Sequence, residues 1–218
     1  MRAHRLWVSV LALALLAPAA PAAPAAPLAR AQALAALTQR EPAVRLAAVE
    51  RLGQVGSMAD AERVLARLAD TDDQVRDAAA SAVWRIWSRS GDPAIDKLHA
   101  RGVEQMQASQ LSDALATFNE VVRRKPAFAE GWNKRATIYF LLGENEKSLR
   151  DCEQVFKRNP NHFGALAGAG QIQLQLGNPR RALEYFRRAV EVNPNLEGPA
   201  QAIPQLEMQL REVDRNRT

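Results

Sequence analysis

The chain has 218 residues, enough for one or two small domains, and its many Ala, Leu, Arg and Glu residues with few aromatics favour helices over a sheet. The formal charge of +5 is a weak pointer to nucleic acid: setting aside Arg2, Arg5 and Arg30 at the amino end leaves 26 basic against 24 acidic residues, and the remainder holds no basic stripe with interleaved aromatics. One cysteine, Cys152, excludes an intramolecular disulfide and a cysteine-based zinc cage, and His4, His99 and His162 show no ligand spacing.

The amino terminus has the three-part layout of a secretory signal. Arg2, His4 and Arg5 precede an apolar run from Leu6 to Ala17, and small residues with prolines come next. That run falls short of the roughly 20 residues a membrane-spanning helix needs. Cleavage is expected after Ala19, Ala22, Ala25 or Ala31, with the boundary drawn at residues 1–31 because the helical pattern starts just beyond. No cysteine stands after the apolar run to carry a lipid, so the expected destination is outside the cytoplasm, in a bacterial periplasm.

Residues 32–91 carry a 31-residue repeat. Leu34, Leu37, Val44, Arg45, Ala48, Leu52 and Val55 recur as Leu65, Leu68, Val75, Arg76, Ala79, Val83 and Ile86. Each unit predicts two short helices, and Val44, Ala48, Leu52 and Val55 fall on one expected buried stripe. Asp72 and Asp73 supply cap chemistry before Val75, and Gly53 and Gly56 are expected to end the first unit's second helix. The strings EPAVRLAAVERLGQVG and DDQVRDAAASAVWRI resemble HEAT-type repeats. Two such units bury little core alone, so they are expected to pack onto the repeats beyond residue 91.

From residue 95 the period changes to 34. Pro126, Pro160 and Pro194 share it, as do Gly102, Ala136 and Gly170; Ala114, Ser148 and Ala182; and Phe118, Cys152 and Phe186. The small sets let paired helices approach, while Trp132, Tyr139, Phe118 and Phe186 are expected to fill the space between them. Gly143 and Gly177 suit left-handed helix ends, and Asn178-Pro179 reads as a helix start. Gln105 and Gln173 stand where an aromatic is usual, and Ser109 where a glycine is usual. These registers identify the segment as resembling the tetratricopeptide repeat, with units at 95–128, 129–162 and 163–196 inside a domain spanning 92–196. The blocks FAEGWNKRATIYFLLG and NPNHFGALAGAG also resemble a group of small exported bacterial proteins of this class. Residues 197–218 are expected to cap the array, with Leu206, Leu210 and Val213 on the inner face and a kink or a helix start near Pro204.

The expected fold is therefore all-α: a right-handed α-solenoid of helix-turn-helix repeats. The resemblance implies that the first helix of each pair lines a concave groove. Carried onto this chain, the groove comprises His99, Val103 and Met106; Glu130, Asn133, Lys134, Thr137 and Phe140; and Ala167, Gln171 and Leu174. Such a surface suits an extended or helical peptide. The family's clamp on a peptide carboxylate needs cations on successive helices. Asn133, Lys134 and Arg135 sit in the right region, but Gly164 and Gly168 stand where cations are needed. Trp84 and Trp87 read as a seal between the two repeat types, Cys152 as a buried thiol and His162 as a turn residue. No phosphate loop, nucleophile motif or metal signature is present, so no catalysis, cofactor, nucleic acid or small-molecule substrate is expected. The expected function is a protein-binding scaffold or adaptor in the cell envelope. A periplasmic chaperone-like factor holding immature clients is the alternative, and self-association through the solenoid edge is a third reading.

Overall fold

The computed structural model describes residues 28–216, so most of the expected signal segment lies outside the described residues. Helix α1 (Arg30–Ala36) straddles the 31/32 boundary. Its Arg30 pairs with the buried Asp60 through Nε (2.9 Å) and a second nitrogen (2.5 Å), while Arg51 holds the Leu28 carbonyl at 2.6 Å. Helix α2 (Pro42–Val55) starts with proline at its first position, where the missing N–H costs nothing. Helix α3 (Ala61–Leu65) is flanked by 3-10 turns Met58–Asp60 and Ala66–Ala69, and α4 (Asp73–Trp87) is capped by the Asp72 carboxylate accepting from the Val75 N–H.

The buried face of α2 differs from the expected stripe. Ala48 and Leu52 are buried as expected, but Val44 and Val55 are 39% and 37% exposed, and Arg45 and Val49 face inward in their place. The cause is Arg45. Its guanidinium grips Asp70 in a two-bond fork (2.8 and 2.6 Å) and donates to the Gln39 and Arg40 carbonyls. The repeat-equivalent Arg76 donates to the Asp70 main-chain carbonyl at 2.9 Å. Asp70 therefore ties the two units together, and the Arg45 contact holds its carboxyl below the usual range. Gly53 lies inside α2 against Arg85, and Gly56 ends the helix with an extended backbone, so neither supplies a left-handed turn.

Six helices then alternate as antiparallel pairs: α5 (Pro93–Gln107) with α6 (Leu111–Arg124), α7 (Ala129–Leu141) with α8 (Asn145–Arg158), and α9 (Phe163–Gln175) with α10 (Pro179–Val192). Each pair closes on a matched volume. The Phe118 ring would lie 2.6 Å from a Cβ at Gly102, and the Phe186 ring 2.5 Å from one at Gly170. In the middle pair both partners change: Ala136 and the smaller Cys152 share one cluster. Gly143 and Gly177 take positive φ (76° and 73°), and Ser109 at the same register is forced to φ 58°. Gln173 is held by Asn178, whose side-chain amide donates to it at 3.0 Å, and Gln105 accepts from the Thr117 hydroxyl at 2.7 Å. Trp132 is not a core filler. It is half-buried outside the hydrophobic clusters, between the guanidinium groups of Arg135 (4.9 Å) and Arg158 (4.8 Å).

Helix α11 (Glu197–Arg215) runs through Pro204 as one element, without the expected new start there. Leu206 and Leu210 bury against Ala182, Leu183 and Phe186, which offsets the lost backbone bond, while Val213 stays exposed.

The core of the amino-terminal section is completed not by the repeat next to it in sequence but by the third one. That core takes in Phe163 of α9 together with Val192 and Leu196, and the Asn195 amide donates to the Leu68 carbonyl at 2.7 Å. The chain thus folds back onto the third helix pair.

Ser109→Gly is expected to raise stability by about 0.5–1 kcal/mol, because relief of the left-handed strain outweighs the extra freedom of the unfolded chain. Equilibrium urea unfolding measures it, and a loss of stability would show that the Ser109 backbone is unstrained.

Candidate functional site

The expected groove residues divide into two groups. Asn133, Thr137, Phe140 and Gln171 line a cavity of about 380 Å³ with Ala167, Gly168 and the α11 residues Gly198, Pro199 and Ala202. The first helix of pairs two and three and the capping helix thus form its walls. Among the described residues, no charged side chain lines it. Cys152 lies at its base, where burial pushes the thiol up to about 12, so it is protonated and unreactive at neutral pH.

The remaining expected residues are engaged elsewhere. His99 is buried between the rings of Phe118 (5.7 Å) and Phe128 (5.5 Å), and that burial lowers its pKa. Val103 and Met106 pack on the α5–α6 core, and Leu174 packs on the α10–α11 core. Glu130 is buried completely and presents nothing to a ligand. Lys134 is spent on Glu130 Oε1 (2.9 Å), with its ammonium 5.6 Å from the Trp84 ring centre. Arg135 forks onto Asp151 (2.7 and 2.8 Å). The cations that could grip a carboxylate are therefore committed to internal partners.

Glu130 is the centre of a network that sequence reasoning missed. Its Oε2 accepts from His162 Nε2 (2.9 Å) and from Asn133 Nδ2 (3.1 Å). His162 is more than a turn residue: it is wholly buried, and its Nδ1 accepts the Ala165 N–H at 3.1 Å, capping α9. That bond leaves Nε2 as the protonated nitrogen facing the carboxylate. Burial alone would push the Glu130 carboxyl up; the His162 hydrogen bond and the Lys134 ammonium outweigh it and hold the pKa down to about 2. Trp87 stacks on the imidazole (4.4 Å, 21° between planes), and Trp84 meets it edge-on at 5.3 Å. The signal was present in the 34-residue register. Phe128, His162 and Leu196 all occupy helix-start positions, and a histidine between two apolar residues asks for a buried partner.

The tryptophans do seal a junction, but against the third pair. A Cβ at Gly164 would lie 2.5 Å from the Trp84 ring, and Gly164 also lines the neutral cavity. Trp84 thus packs behind Gly164, on the far side from the groove lining.

Stacked antiparallel helix pairs closed by a capping helix define an α-solenoid built for protein interaction. Tetratricopeptide repeat models match residues 99–154 and 163–196. A tetratricopeptide repeat-containing protein of Rhizobium etli is 31% identical over 145 residues, covering 66% of this chain and 67% of its own. The chain belongs to the tetratricopeptide repeat family, a family of interaction modules and not of enzymes. It is also similar to the Hsp70-Hsp90 organizing protein of Triticum aestivum, at 26% identity over 48% of this chain but only 18% of that one. Among solved structures, the tetratricopeptide domain of Sgt2 from Aspergillus fumigatus superposes with a TM-score of 0.52 at 21% identity, over 57% of this chain and 83% of that one. The first such domain of Spaghetti (RPAP3), bound to the HSP90 peptide SRMEEVD, gives 0.52 at 18% identity, over 54% and 93%. Those likenesses show the fold.

Glu130→Ala is expected to cost about 3–5 kcal/mol, since it strands His162 and Lys134 around an empty acceptor. Because the folded carboxyl titrates below its ordinary value of 4.5, its stabilisation is complete above that pH and fades as pH falls towards about 2. Urea unfolding at pH 7 and pH 3 should show a smaller acid loss in Glu130→Ala than in the wild type; equal losses would remove Glu130 from the acid response.

Proposed function

We propose that this protein is a non-catalytic scaffold or adaptor of the cell envelope that holds an uncharged, largely apolar segment of another polypeptide in the groove between α7, α9 and α11. One observation carries the reading: the cavity is lined by small, apolar and neutral polar side chains with no charge among the described residues, while the Gln171 amide and the acceptor oxygens of Asn133 and Thr137 are left for a peptide backbone. Gly164, Ala167 and Gly168 leave room for a bulky incoming side chain, and a Cβ at Gly168 would meet nothing within 4 Å. An acidic tail such as the SRMEEVD peptide of the RPAP3 complex would find no counter-charge here, and desolvating it would be unfavourable. The same neutral lining favours a second reading, a chaperone-like factor that holds immature clients, because apolar contact discriminates weakly among sequences.

Residues 32–91 act in this reading as a HEAT-like buttress that backs the groove, with Trp84 packed behind Gly164. The matched positions of Arg45 and Arg76 on Asp70 support the repeat assignment. The export signal accords with the layout of residues 1–25, and the Arg30–Asp60 pair favours a cut at or before Ala25 over one after Ala31, which would remove Arg30.

The test is a crosslinking pull-down from the envelope fraction of wild type and Gly168→Trp. Loss of one protein of fixed stoichiometry in the variant supports the adaptor, and loss of many unrelated proteins supports the chaperone. Identical captures would remove the groove from the reading. Amino-terminal sequencing of the exported form is expected to begin at or before residue 26; a start at Gln32 would refute the role given to Arg30.

A further inference from the structure

A second cavity, of about 240 Å³, opens where the amino-terminal section meets the first two tetratricopeptide units. Trp87, Arg89 and Ser90 line one side, and Lys125, Arg158 and Asn159 line the other. Its character is opposite to that of the groove. Three cations line it, and no carboxylate among the described residues does.

Among the described residues, no ion pair neutralises any of the three cations. Arg89 donates to the carbonyls of Gly53 (2.9 Å), Gln54 (3.0 Å) and Gly56 (2.8 Å), which fix the guanidinium without cancelling its charge. Arg158 donates to the Pro126 carbonyl, to the Gln154 carbonyl (2.6 Å) and to its side-chain oxygen (3.0 Å). Lys125 ends α6 half-exposed. Asp96 accepts from the Ser90 N–H (2.7 Å) and hydroxyl (2.6 Å), and its charge acts on Arg89 without an ion pair between them; Glu130 belongs to His162, Asn133 and Lys134.

A second observation is independent of charge. Three buried N–H donors on the lining residues have no acceptor in the protein: Trp87 Nε1, Arg89 Nε and Asn159 Nδ2. Trp87 and Asn159 are only 3% and 6% exposed. Buried donors are almost always satisfied, so three on one cavity require an acceptor. Ala129, the first residue of α7, also lines it and adds the positive end of a helix dipole. Unpaired cations and orphaned donors together describe a receptor for negative oxygen.

We propose that this cavity binds a small multivalent oxyanion of the phosphate or dicarboxylate class, bridging the amino-terminal section and the repeats. The occupant accepts from Trp87, Arg89 and Asn159 and draws Lys125 and Arg158 inward. Because it touches both bodies, binding stabilises the junction by mass action.

The test uses the full chain purified without phosphate. Inorganic phosphate and succinate are titrated separately by calorimetry at constant ionic strength, and thermal midpoints are read in parallel with sodium chloride as control. Saturable binding of at least one anion and a raised midpoint are expected. Phosphate alone assigns the tetrahedral class, and succinate alone assigns the dicarboxylate. Lys125→Ala/Arg158→Ala should weaken binding at least tenfold, about 1.4 kcal/mol, while Arg123→Ala, whose partner is Glu120 on the exposed face of α6, should leave it unchanged. If the double variant does not fold, Lys125→Glu on the half-exposed side chain takes its place and should abolish binding. No saturable heat with either anion, or an equal midpoint rise in wild type and variant, overturns the proposal.

Discussion

The Glu130 carboxylate is the constraint on which the rest of the molecule depends. A charge buried that deeply is tolerable only when it is paired and hydrogen-bonded. His162 and Asn133 donate to Oε2, the Lys134 ammonium neutralises the charge from 2.9 Å at Oε1, and His162 belongs to the next helix pair. The bond therefore sets the amino ends of α7 and α9 in fixed register. It also demands a lid, since the imidazole would otherwise be wet and the bond weaker. Trp87 is that lid, and it arrives on a helix from residues 73–87, far back in the chain. Folding the amino-terminal section back onto the third pair is the consequence of this local need.

The same region explains why the middle unit differs from its neighbours. Where units one and three close a glycine against a phenylalanine, unit two closes Ala136 against Cys152. The exchange keeps the summed volume within what one helix-pair spacing can hold, so α7 stays in line although the residues at its seam have changed. With α7 in line, Asn133, Thr137 and Phe140 point into the space in front of α9, where Gly164, Ala167 and Gly168 have withdrawn their side chains. The groove is made by what α9 lacks.

Periodicity carries most of the fold. Pro126, Pro160 and Pro194 mark the ends of the repeats, and the small and large sets at 34 residues place each helix pair and its seam. Periodicity cannot say which way a long side chain turns. Arg45 looks like the edge of a stripe centred on Val44, yet its fork on Asp70 rotates α2 and leaves Val44 in water. Glu130 and His99 sit on the first helices of their pairs, and both turn inward because a polar partner or two aromatic rings wait there. Trp132 has the pattern of a core filler and stands outside, stacked by two arginines that belong to different helices. Each miss involves a contact between residues on separate turns or separate elements, which a single-helix pattern cannot encode. Thr137, Phe140 and Gln171, which are legible, have among the described residues no polar side-chain partner on another element to turn them away, and Asn133 lines the groove although its amide also donates to Glu130.

Two cavities of opposite character flank one pair of tryptophans. Trp84 packs against Gly164 of the neutral groove, and Trp87 lines the cationic cavity. The rings touch edge to face at 5.4 Å and both are wedged against Phe163, at 5.4 and 5.0 Å. Coupling between two sites needs an element with two arrangements of similar energy. A tryptophan pair locked by aromatic neighbours and a buried carboxylate network has one. Filling the cationic cavity would therefore strengthen the junction without reshaping the groove, so an anion should raise the temperature at which the protein unfolds while leaving the affinity of the groove for its polypeptide unchanged. A tight junction of this kind separates stability from recognition at Gly168, where a side chain would meet nothing, but not at Gly164, where it would strike Trp84.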